Sequence, residues 1–411
     1  MSKDTYYILL LLIVFLGTIW DWILNYMNTK ARKTILPDNL KGIIEEDTYG
    51  KSQAYMKEKE RVDLIKNLIS FCIIVPTLVL GWLGTLDHFV QEQTESIYLQ
   101  TLLFIGIIGL ISMFLSLPFS YYTQFWIEGK YGFNKSTRRL FWLDQLKALL
   151  LSIILGGVLI SLLLYFYEHA LQYFWIIGWG TMIIISLLAN FFYSSLIVPL
   201  FNKQTPLPEN SLRNKIEQLA QKAQFKLKNI FIIDGSKRTS KANAYFAGLG
   251  AKKRIVLYDT LTEKLSEDET AAVLAHEIGH YKKKHVLINL LIATIQLGFT
   301  FYILSLFLGE HALGQALGAE NTNFYIGIVG FSILYSPISI ITEIIINTIS
   351  RKNEYEADDY AIQISDRSHF TEALKKLHVD ALSNLTPHPA YVFVHYSHPP
   401  LLKRIENINS K

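Results

Sequence analysis

The stretch Leu99–Phe119, LQTLLFIGIIGLISMFLSLPF, decides the fold of this chain. It contains no Asp, Glu, Lys or Arg. Its length matches the requirement of a helix that crosses the hydrocarbon core of a bilayer, about 20 residues for roughly 30 Å. The stretch therefore predicts a membrane-spanning α-helix.

Six further apolar runs of similar length lie on both sides of this stretch. They are Tyr6–Leu24, Leu64–Leu83, Ala148–Tyr167, Tyr173–Val198, Val286–Leu308 and Tyr325–Ile349. The composition agrees with them, because 51% of the 411 residues are hydrophobic, 18% are charged and the mean hydropathy is +0.25. Such a chain is too apolar for an ordinary soluble enzyme. We expect a mainly α-helical, polytopic protein with seven transmembrane helices, a buried core helix being the alternative for the fifth or seventh run.

The connections between the runs alternate in charge. Lys and Arg are frequent after the first and third runs, whereas the connections around 87–95, around Glu168 and over 310–323 contain none. Positive residues near membrane spans stay on the cytoplasmic side. The N-terminus is therefore expected outside, and the polar segment between the fifth and sixth runs in the cytoplasm together with the C-terminus.

Charge and cysteine content exclude other classes of protein. The formal net charge of +4 is modest, and the basic residues lie in membrane-proximal loops, so we expect no nucleic-acid partner. The single cysteine, Cys72, lies in the second run. A disulfide framework and a cysteine metal cluster are thereby excluded.

The stretch Thr270–His280, TAAVLAHEIGH, contains an HExxH pattern. Ser266 and the three acidic residues after it predict the start of a helix. On that helix His276 and His280 share one face and can hold a metal, while Glu277 can reach a water on the metal. The pattern is typical of a catalytic zinc site, and two unrelated histidines beside a helix glutamate are the alternative.

A hydrolytic zinc site normally needs a third protein ligand. His285 does not fit the metzincin pattern, because that pattern requires the third histidine one position later, where this chain has valine. Glu354 is the better candidate, and Asp358 follows one helical turn later, where it could hold the free N–H of a ligand histidine. A solvated acidic helix is the alternative for both carboxylates.

The polar segment predicts a small α+β unit. We expect an amphipathic helix over Ser211–Ala223, a buried strand over Ile230–Ile233, and paired strands Ala244–Phe246 and Ile255–Tyr258 around residues 248–253. The HExxH helix could continue directly into the sixth run. The expected organisation is residues 1–200 with five membrane helices, 201–285 as the zinc protease core, 286–349 with two membrane helices and 350–411 as a helical part of the catalytic domain.

Polar residues also follow single faces of the last two membrane runs. One stripe contains Glu343, Asn347, Arg351, Glu354 and Asp358, and the other contains His285, Asn289 and Gln296. Polar side chains inside a membrane rarely face lipid. The stripes favour a water-accessible chamber beside the metal, with hydrogen bonds between the helices as the alternative.

Segments in a fixed order resemble the CAAX prenyl protease 1 family of integral-membrane zinc proteases. They are Ile127–Lys135 (IEGKYGFNK), Phe201–Glu209, Ser240–Phe246 (SKANAYF), the HExxH, Asn353–Asp358 (NEYEAD) and His395–Pro400 (HYSHPP). The resemblance implies seven helices that enclose a large chamber, with a gluzincin-like α+β zinc protease domain at its cytoplasmic end.

The same resemblance implies roles for single residues. His276, His280 and Glu354 would hold one Zn²⁺ per chain, and Glu277 would be the general base. His398 would donate to the oxyanion. Two groups would assist them, Asp358 and Arg351 supporting the ligands, and Asn243, Ala244 and Tyr245 forming an edge to which an extended peptide adds as a strand.

The expected function is a membrane zinc metalloendopeptidase that cleaves near the C-terminus of isoprenylated CAAX-type substrates. A quality-control protease without a prenyl requirement is the alternative enzyme, and a non-catalytic seven-helix transporter or receptor is the alternative of another class. The partners are then the bilayer and a peptide or protein substrate, with a monomeric chain. Because the tail carries no ER-retrieval signal, we expect a bacterial inner membrane rather than the ER.

Overall fold

A computed structural model of the chain describes residues 1–225, 227, 229–247 and 254–411. Within these residues seven helices are long and apolar enough to span a membrane, which confirms the predicted number. The predicted connection 248–253 lies outside the described residues. The spans cover Lys3–Ala31, Glu46–Val79, Ile97–Lys130, Arg138–His169, Leu171–Phe201, His285–Phe307 and Phe324–Ile364.

The first half of the chain is helical, with short turns between the helices. Its helices are α1 (Lys3–Ala31), α2 (Glu46–Val79), α3 (Trp82–Gln93), α4 (Ile97–Tyr122), α5 (Glu128–Lys130), α6 (Arg138–His169), α7 (Phe174–Phe192) and α8 (Val198–Phe201). Short π-helical turns join α4 to α5 and α7 to α8, over Thr123–Ile127 and Tyr193–Ile197. The second span was predicted to end at Leu83, but helix α2 ends at Val79. It ends there because Gly81 has a left-handed φ of 67° and the separate helix α3 begins after it.

A mixed four-stranded sheet follows α8. Its strands are β1 (Gln204–Pro206), β2 (Asn229–Ile233), β3 (Ala244–Ala247) and β4 (Arg254–Tyr258), in the order β1-β2-β4-β3. Strands β2 and β4 are parallel, and the other two pairs are antiparallel. The predicted pairing of the last two strands is confirmed, with Tyr245 opposite Val256.

Three helices cover this sheet and lead back to the membrane. They are α9 (Ser211–Lys222), α10 (Asp259–Lys264) and α11 (Glu267–Lys282), and α12 (His285–Phe307) is the sixth span. The expectation that the HExxH helix continues into the sixth span is wrong. The chain turns at Lys284, which has a left-handed φ of 62°, and this turn directs the first residue of α12, His285, towards the HExxH helix.

The seventh span belongs to the longest described helix. After α13 (His311–Ala316), helix α14 runs from Phe324 to Ile364 and continues through residue 350, where a boundary was expected. Helices α15 (Arg367–Asp380), α16 (Pro389–His395) and α17 (Leu401–Asn409) complete the chain. One helix thus connects the membrane with the segment that carries Glu354.

Buried apolar residues concentrate at the two ends of the molecule. The larger cluster joins the sheet to α9, α11, α15 and α17, with Ile216, Ile255, Leu274 and Ile408 at its centre. Two other clusters join the membrane helices at the opposite end. Between these ends a cavity of about 890 Å³ lies among α2, α3, α4 and α14, with a mainly apolar lining.

Candidate metal centre

The helix that carries HExxH is fixed at its start by its own sequence. Ser266 accepts a hydrogen bond from the backbone N–H of Glu269, and the Glu269 carboxylate accepts one from the backbone N–H of Ser266. This reciprocal pair satisfies two N–H groups that a helix start leaves free. The helix start predicted at Ser266 is therefore stabilised by a complete capping box.

A glycine lets α11 approach α14 closely. A Cβ atom on Gly279 would lie 3.1 Å from the Cα and from the carbonyl oxygen of Ala357. The absence of a side chain allows the two backbones to pack in contact. Because Ala357 is three residues from Glu354, this contact brings the glutamate next to the histidines of α11.

The structure brings His276, His280 and Glu354 together. One ligand atom from each lies within 4.8 Å of the other two. The Nε2 atoms of the two histidines are 3.1 Å apart, and the carboxylate oxygens of Glu354 lie 3.5 Å from His276 Nε2 and 3.3 Å from His280 Nε2. All three sets of lone pairs therefore converge on one small volume.

The donor set fits a divalent transition metal. Two imidazole nitrogens and one carboxylate are the ligands of a hydrolytic zinc site that keeps a position open. Oε2 of Glu354 is buried and makes no hydrogen bond of normal geometry with the described residues, since His276 Nε2 and Arg404 Nη1 lie 3.5 and 3.7 Å away. A buried carboxylate oxygen without a hydrogen bond is costly, and a cation between the three side chains lowers that cost.

Asp358 and Arg404 support His276 from the side opposite the convergence point. Nδ1 of His276 lies 2.8 Å from Asp358, whose carboxylate accepts two hydrogen bonds from Arg404, at 2.9 and 2.6 Å. Burial alone would lower the pKa of His276, but the neighbouring carboxylates of Asp358 and Glu354 outweigh burial and raise the pKa. The carboxylate fixes the ring orientation with Nε2 directed to the ligand cluster.

His285 supports the second histidine in a similar way. Its Nδ1 lies 3.1 Å from Nδ1 of His280, and its Nε2 lies 3.2 Å from the carboxylate of Glu356. The His285 ring is buried, with 1% of the residue exposed. The residue that was rejected as a ligand thus lies directly behind a candidate ligand.

Glu277 lies between the two histidines on α11 and is half-buried. Its carboxylate makes no hydrogen bond or ion pair with any residue in the described part of the chain, although the Arg404 charge is near enough to interact with it. A free carboxylate beside a metal site is available to a water molecule.

His398 lies over the same cluster. Its Nε2 is 3.3 Å from a carboxylate oxygen of Glu354, and its Nδ1 is 2.9 Å from the hydroxyl of Ser397. In contrast to the buried ligands, 64% of the His398 side chain is exposed. It is therefore accessible to a substrate that lies on the open side of the cluster.

Arg351 lies away from the ligands that it was expected to support. Its guanidinium donates to the carbonyl oxygens of Val392 and Tyr396, at 3.0 and 2.6 Å. Asn347, in the same stripe, donates to the carbonyl of Val394 at 2.6 Å. These two stripe residues bind the C-terminal segment, so their polarity has a local partner in the protein.

The residues predicted to form a substrate edge lie in strand β3 or directly before it. Asn243 is exposed and its side-chain oxygen accepts the backbone N–H of Ala244 at 2.8 Å. Its carbonyl accepts the N–H of Tyr258, which continues the β3–β4 pairing by one residue. In the sheet formed by the described strands, β3 is terminal, and one side of Ala244 and Tyr245 faces no other strand.

Two important residues escaped the sequence reasoning. Arg404 is 128 positions from His276, and its signal was a lone arginine among the buried residues Leu401, Ile405 and Ile408 of α17. His285 was considered as a ligand and as part of a polar stripe, but not as a neighbour of His280. In both cases the residue type was visible, but the contact depends on the tertiary fold.

Comparison with known proteins finds matches to one family over nearly the whole chain. Residues 25–203 match the family described as CAAX prenyl protease N-terminal, five membrane helices, and residues 206–411 match peptidase family M48. A CAAX prenyl protease 1 homolog from Oryza sativa subsp. japonica is 35% identical, with 94% of this chain and 95% of that protein covered. CAAX prenyl protease 1 from Saccharomyces cerevisiae is 34% identical, with 92% and 89% covered. The crystal structure of S. mikatae Ste24p matches with a TM-score of 0.93 at 30% identity, covering 98% of this chain and 99% of that one.

The fold and the site therefore define a polytopic membrane metalloendopeptidase whose seven helices enclose a chamber. This class excludes the non-catalytic transporter or receptor. Within it, the chain belongs to the CAAX prenyl protease 1 family of M48 peptidases, as the resemblance predicted. The family implies a metal at the site. The matching proteins from plants and yeast are eukaryotic, which points away from the bacterial inner membrane that we expected.

Proposed function

We propose that this enzyme binds one zinc ion per chain and cleaves peptide bonds near the C-terminus of isoprenylated CAAX-type substrates. The observation that carries the proposal is the presence, in one chain, of a two-histidine, one-carboxylate centre and a mainly apolar cavity of about 890 Å³ among the membrane helices. The first suits peptide hydrolysis, and the second suits a lipid chain attached to the peptide.

His276, His280 and Glu354 would hold the zinc ion. Zinc in such a site supplies a Lewis acid and lowers the pKa of a water molecule towards about 7. Glu277 takes a proton from the water that attacks the scissile carbonyl and delivers it to the leaving amine. Its freedom from ion pairs among the described residues supports this role, because the carboxylate is not committed elsewhere.

His398 would act on the carbonyl oxygen. Its exposed ring, held 3.3 Å from Glu354, can donate a hydrogen bond to the oxygen as negative charge develops there. The hydroxyl of Ser397 on Nδ1 orients the ring. Donors of this kind contribute about 10² to 10³ in kcat.

Strand β3 would bind the peptide backbone. An extended substrate that adds beside Ala244 and Tyr245 forms main-chain hydrogen bonds, which do not depend on the side chains of the substrate. Asn243 fixes the start of this edge through its bond to the N–H of Ala244. Sequence preference is therefore expected to be broad, and recognition is left to the lipid and the chain end.

The isoprenyl group would lie in the cavity between α2, α4 and α14. Ile73, Ile111 and Ile333 supply apolar surface, and the small side chains of Ser112 and Ser116 leave room between the helices. Burial of apolar surface stabilises a bound hydrocarbon chain by about 25 cal/mol per Å². A cavity of this composition favours a prenylated substrate over a bare peptide.

The test compares kcat/KM for matched farnesylated and unprenylated CAAX peptides. Ser112→Trp fills the cavity and should reduce cleavage of the farnesylated peptide about tenfold, while cleavage of the bare peptide changes little. Leu110→Trp is the matched control, because Leu110 is exposed on α4 but does not line the cavity.

Equal cleavage of both peptides by the wild type, unaffected by Ser112→Trp, would favour the quality-control protease without a prenyl requirement. The peptide edge at β3, which reads little sequence, is the observation that supports that second candidate. If neither peptide were cleaved, the assignment of a CAAX-type substrate would be rejected, while the assignment as a peptidase would stand.

The catalytic region would face the cytoplasm, and the chain would act as a monomer, since one chain supplies every proposed site residue. The alternating charge of the connections supports the orientation. Single cysteines replacing the exposed residues Lys51 and Asn321, in a Cys72→Ser background, should react with a membrane-impermeant reagent from opposite sides. Reaction of Lys51→Cys from the outer side of sealed cells would contradict this orientation.

A further inference from the structure

We propose that Arg351 and Asn347, on the membrane-derived helix α14, are positioning residues that hold His398 over the candidate ligands by binding the end of helix α16. This inference rests on the proposed role of His398 at the substrate carbonyl. It gives a catalytic purpose to two residues of the polar stripe that bind neither the metal nor each other.

The end of α16 presents carbonyl groups that its own helix cannot satisfy. The last carbonyls of any helix lack N–H partners within the helix. Here Asn347 donates to Val394 at 2.6 Å, and Arg351 donates at 2.6 Å to Tyr396, the residue after the helix. Arg351 also donates at 3.0 Å to the carbonyl of Val392, which accepts the backbone N–H of Tyr396 as well. A guanidinium is suited to this place, because Nη1 donates to both carbonyls while Nη2 donates to Thr348, and its charge is favourable at the negative end of a helix.

These bonds determine where His398 lies. Tyr396 is two residues before His398, and Pro399 and Pro400 follow it, so the backbone between the two anchored helices has little freedom. After the prolines, Arg404 on α17 binds Asp358. The short link that carries His398 is thus attached to α14 at both of its ends.

Both attachment points lie on the face of α14 that contains Glu354. Asn347 and Arg351 precede Glu354 by about two turns and one turn, and Asp358 follows it by one turn. The position of His398 relative to Glu354 is therefore set by a single rigid element. The exposed His398 ring has little packing to hold it, which makes the backbone anchors necessary.

The experiment measures kcat and KM for a peptide substrate, together with zinc content and thermal stability, in variants of the full-length enzyme. Arg351→Met removes both bonds and keeps the length of the side chain. We expect kcat to fall about 10- to 100-fold with KM nearly unchanged and zinc retained, because a misplacement of about 1 Å can cost 10² in rate. Arg351→Lys should recover part of the loss, since an ammonium group reaches one of the two carbonyls.

A double-mutant cycle separates positioning from general stability. In a His398→Ala background Arg351→Met should reduce kcat less than twofold further, because the group that it positions is absent. Asn347→Leu, which keeps the number and branching of the side-chain heavy atoms, should behave like Arg351→Met and serves if the arginine variant fails to fold. Lys352→Ala is the control, because this neighbouring cation is 78% exposed and forms its ion pair with Glu356 on the same helix.

The outcomes distinguish this inference from the proposed function. A large effect of His398→Ala with no effect of Arg351→Met and Asn347→Leu would overturn the positioning role and leave the catalytic role of His398. No effect of His398→Ala would reject that catalytic role. Additive losses in the double variant would mean that Arg351 acts independently of His398, and would also overturn the inference.

Discussion

The membrane helices and the catalytic region are built differently. In the apolar windows of the first six spans only 6 to 11% of the residues are buried inside the protein, against 39% in the seventh. On α11, by contrast, the candidate ligand His276 and most of its neighbours are buried. The bundle depends on length and hydropathy with contacts mainly near one end, whereas the site depends on specific pairs between α11, α14 and α17. Substitutions in the two regions should therefore fail in different ways.

The largest effect on catalysis is expected from Glu277→Gln, and it should leave the fold and the membrane helices unaffected. The amide cannot accept and return the proton, so kcat should fall by about 10² to 10⁴. Zinc content and thermal stability should stay at the wild-type values, since Glu277 forms no ion pair with the described residues. Metal analysis measures the zinc content, thermal denaturation measures the stability, and peptide hydrolysis measures kcat. Near-normal hydrolysis by this variant would remove the general-base assignment.

A second substitution in the catalytic region should act on the metal instead of the proton. Asp358→Asn weakens the hydrogen bond that orients His276 and leaves Arg404 with a poorer partner, so zinc affinity should fall about 10- to 100-fold. Competition with a chelator measures this affinity. Asp359→Asn is the matched control, because Asp359 contacts Asn407 and Lys411 and not the ligands. Equal losses in both variants would contradict a specific role of Asp358.

The membrane end is tested by Gly84→Ala. The added Cβ would lie 1.9 Å from the carbonyl oxygen of Gly318, which belongs to the backbone and cannot easily move. Overpacking of this kind costs about 1 to 3 kcal/mol. The thermal midpoint in detergent should fall while zinc binding by the folded protein is unchanged. Gly106→Ala is the control, since a Cβ at Gly106 meets no atom within 4 Å, and equal stability of the two variants would count against the close contact.

The smallest effect concerns pH and the start of α11. Burial opposes ionisation of Glu269, but hydrogen bonds from Lys376 and the Ser266 backbone outweigh it and lower its pKa below the usual value. A lowered pKa in the folded state stabilises the fold above the pKa of the unfolded chain, and this contribution is lost as the pH falls through the folded value.

Because 47% of the Lys376 side chain is exposed, we expect less than about 1 kcal/mol from this pair. Thermal midpoints measured from pH 7 down to pH 3 should decline less steeply in Glu269→Gln than in the wild type. Lys376→Met should flatten the decline in the same way. An unchanged slope in both variants would show that the pair contributes nothing.

The sequence predicted the membrane part well because hydropathy is a local property. A run such as Leu99–Phe119 specifies its own helix, and all seven runs became spans. HExxH also specifies its own geometry, since His276 and His280 are one turn apart. The turn at Lys284 could not be predicted, because nothing in a run of three lysines requires a left-handed residue.

The parts of the site that escaped prediction depend on distant pairs. Arg404 meets Asp358 across 46 positions, and Arg351 meets Tyr396 across 45. A polar stripe on α14 was visible in the sequence, but it could not reveal whether water or a returning chain covers it. For Asn347 and Arg351 the covering partner is the segment that carries His398.

The continuity of α14 has a practical consequence for anyone who wishes to isolate the catalytic half. A helix of 41 residues is about 60 Å long, and its second half supplies Glu354 and the anchors of the His398 link. A fragment that begins at residue 350 would have its new helix end only four residues before Glu354. Helix ends fray, so the candidate ligand would lie close to a poorly held turn. A fragment that starts at residue 206 would instead retain two apolar spans without their five partners and would need a detergent or a lipid to stay dispersed. A soluble catalytic fragment is therefore not expected, because α14 belongs to both the membrane bundle and the site. Inhibitor screening requires the whole chain in a membrane mimic.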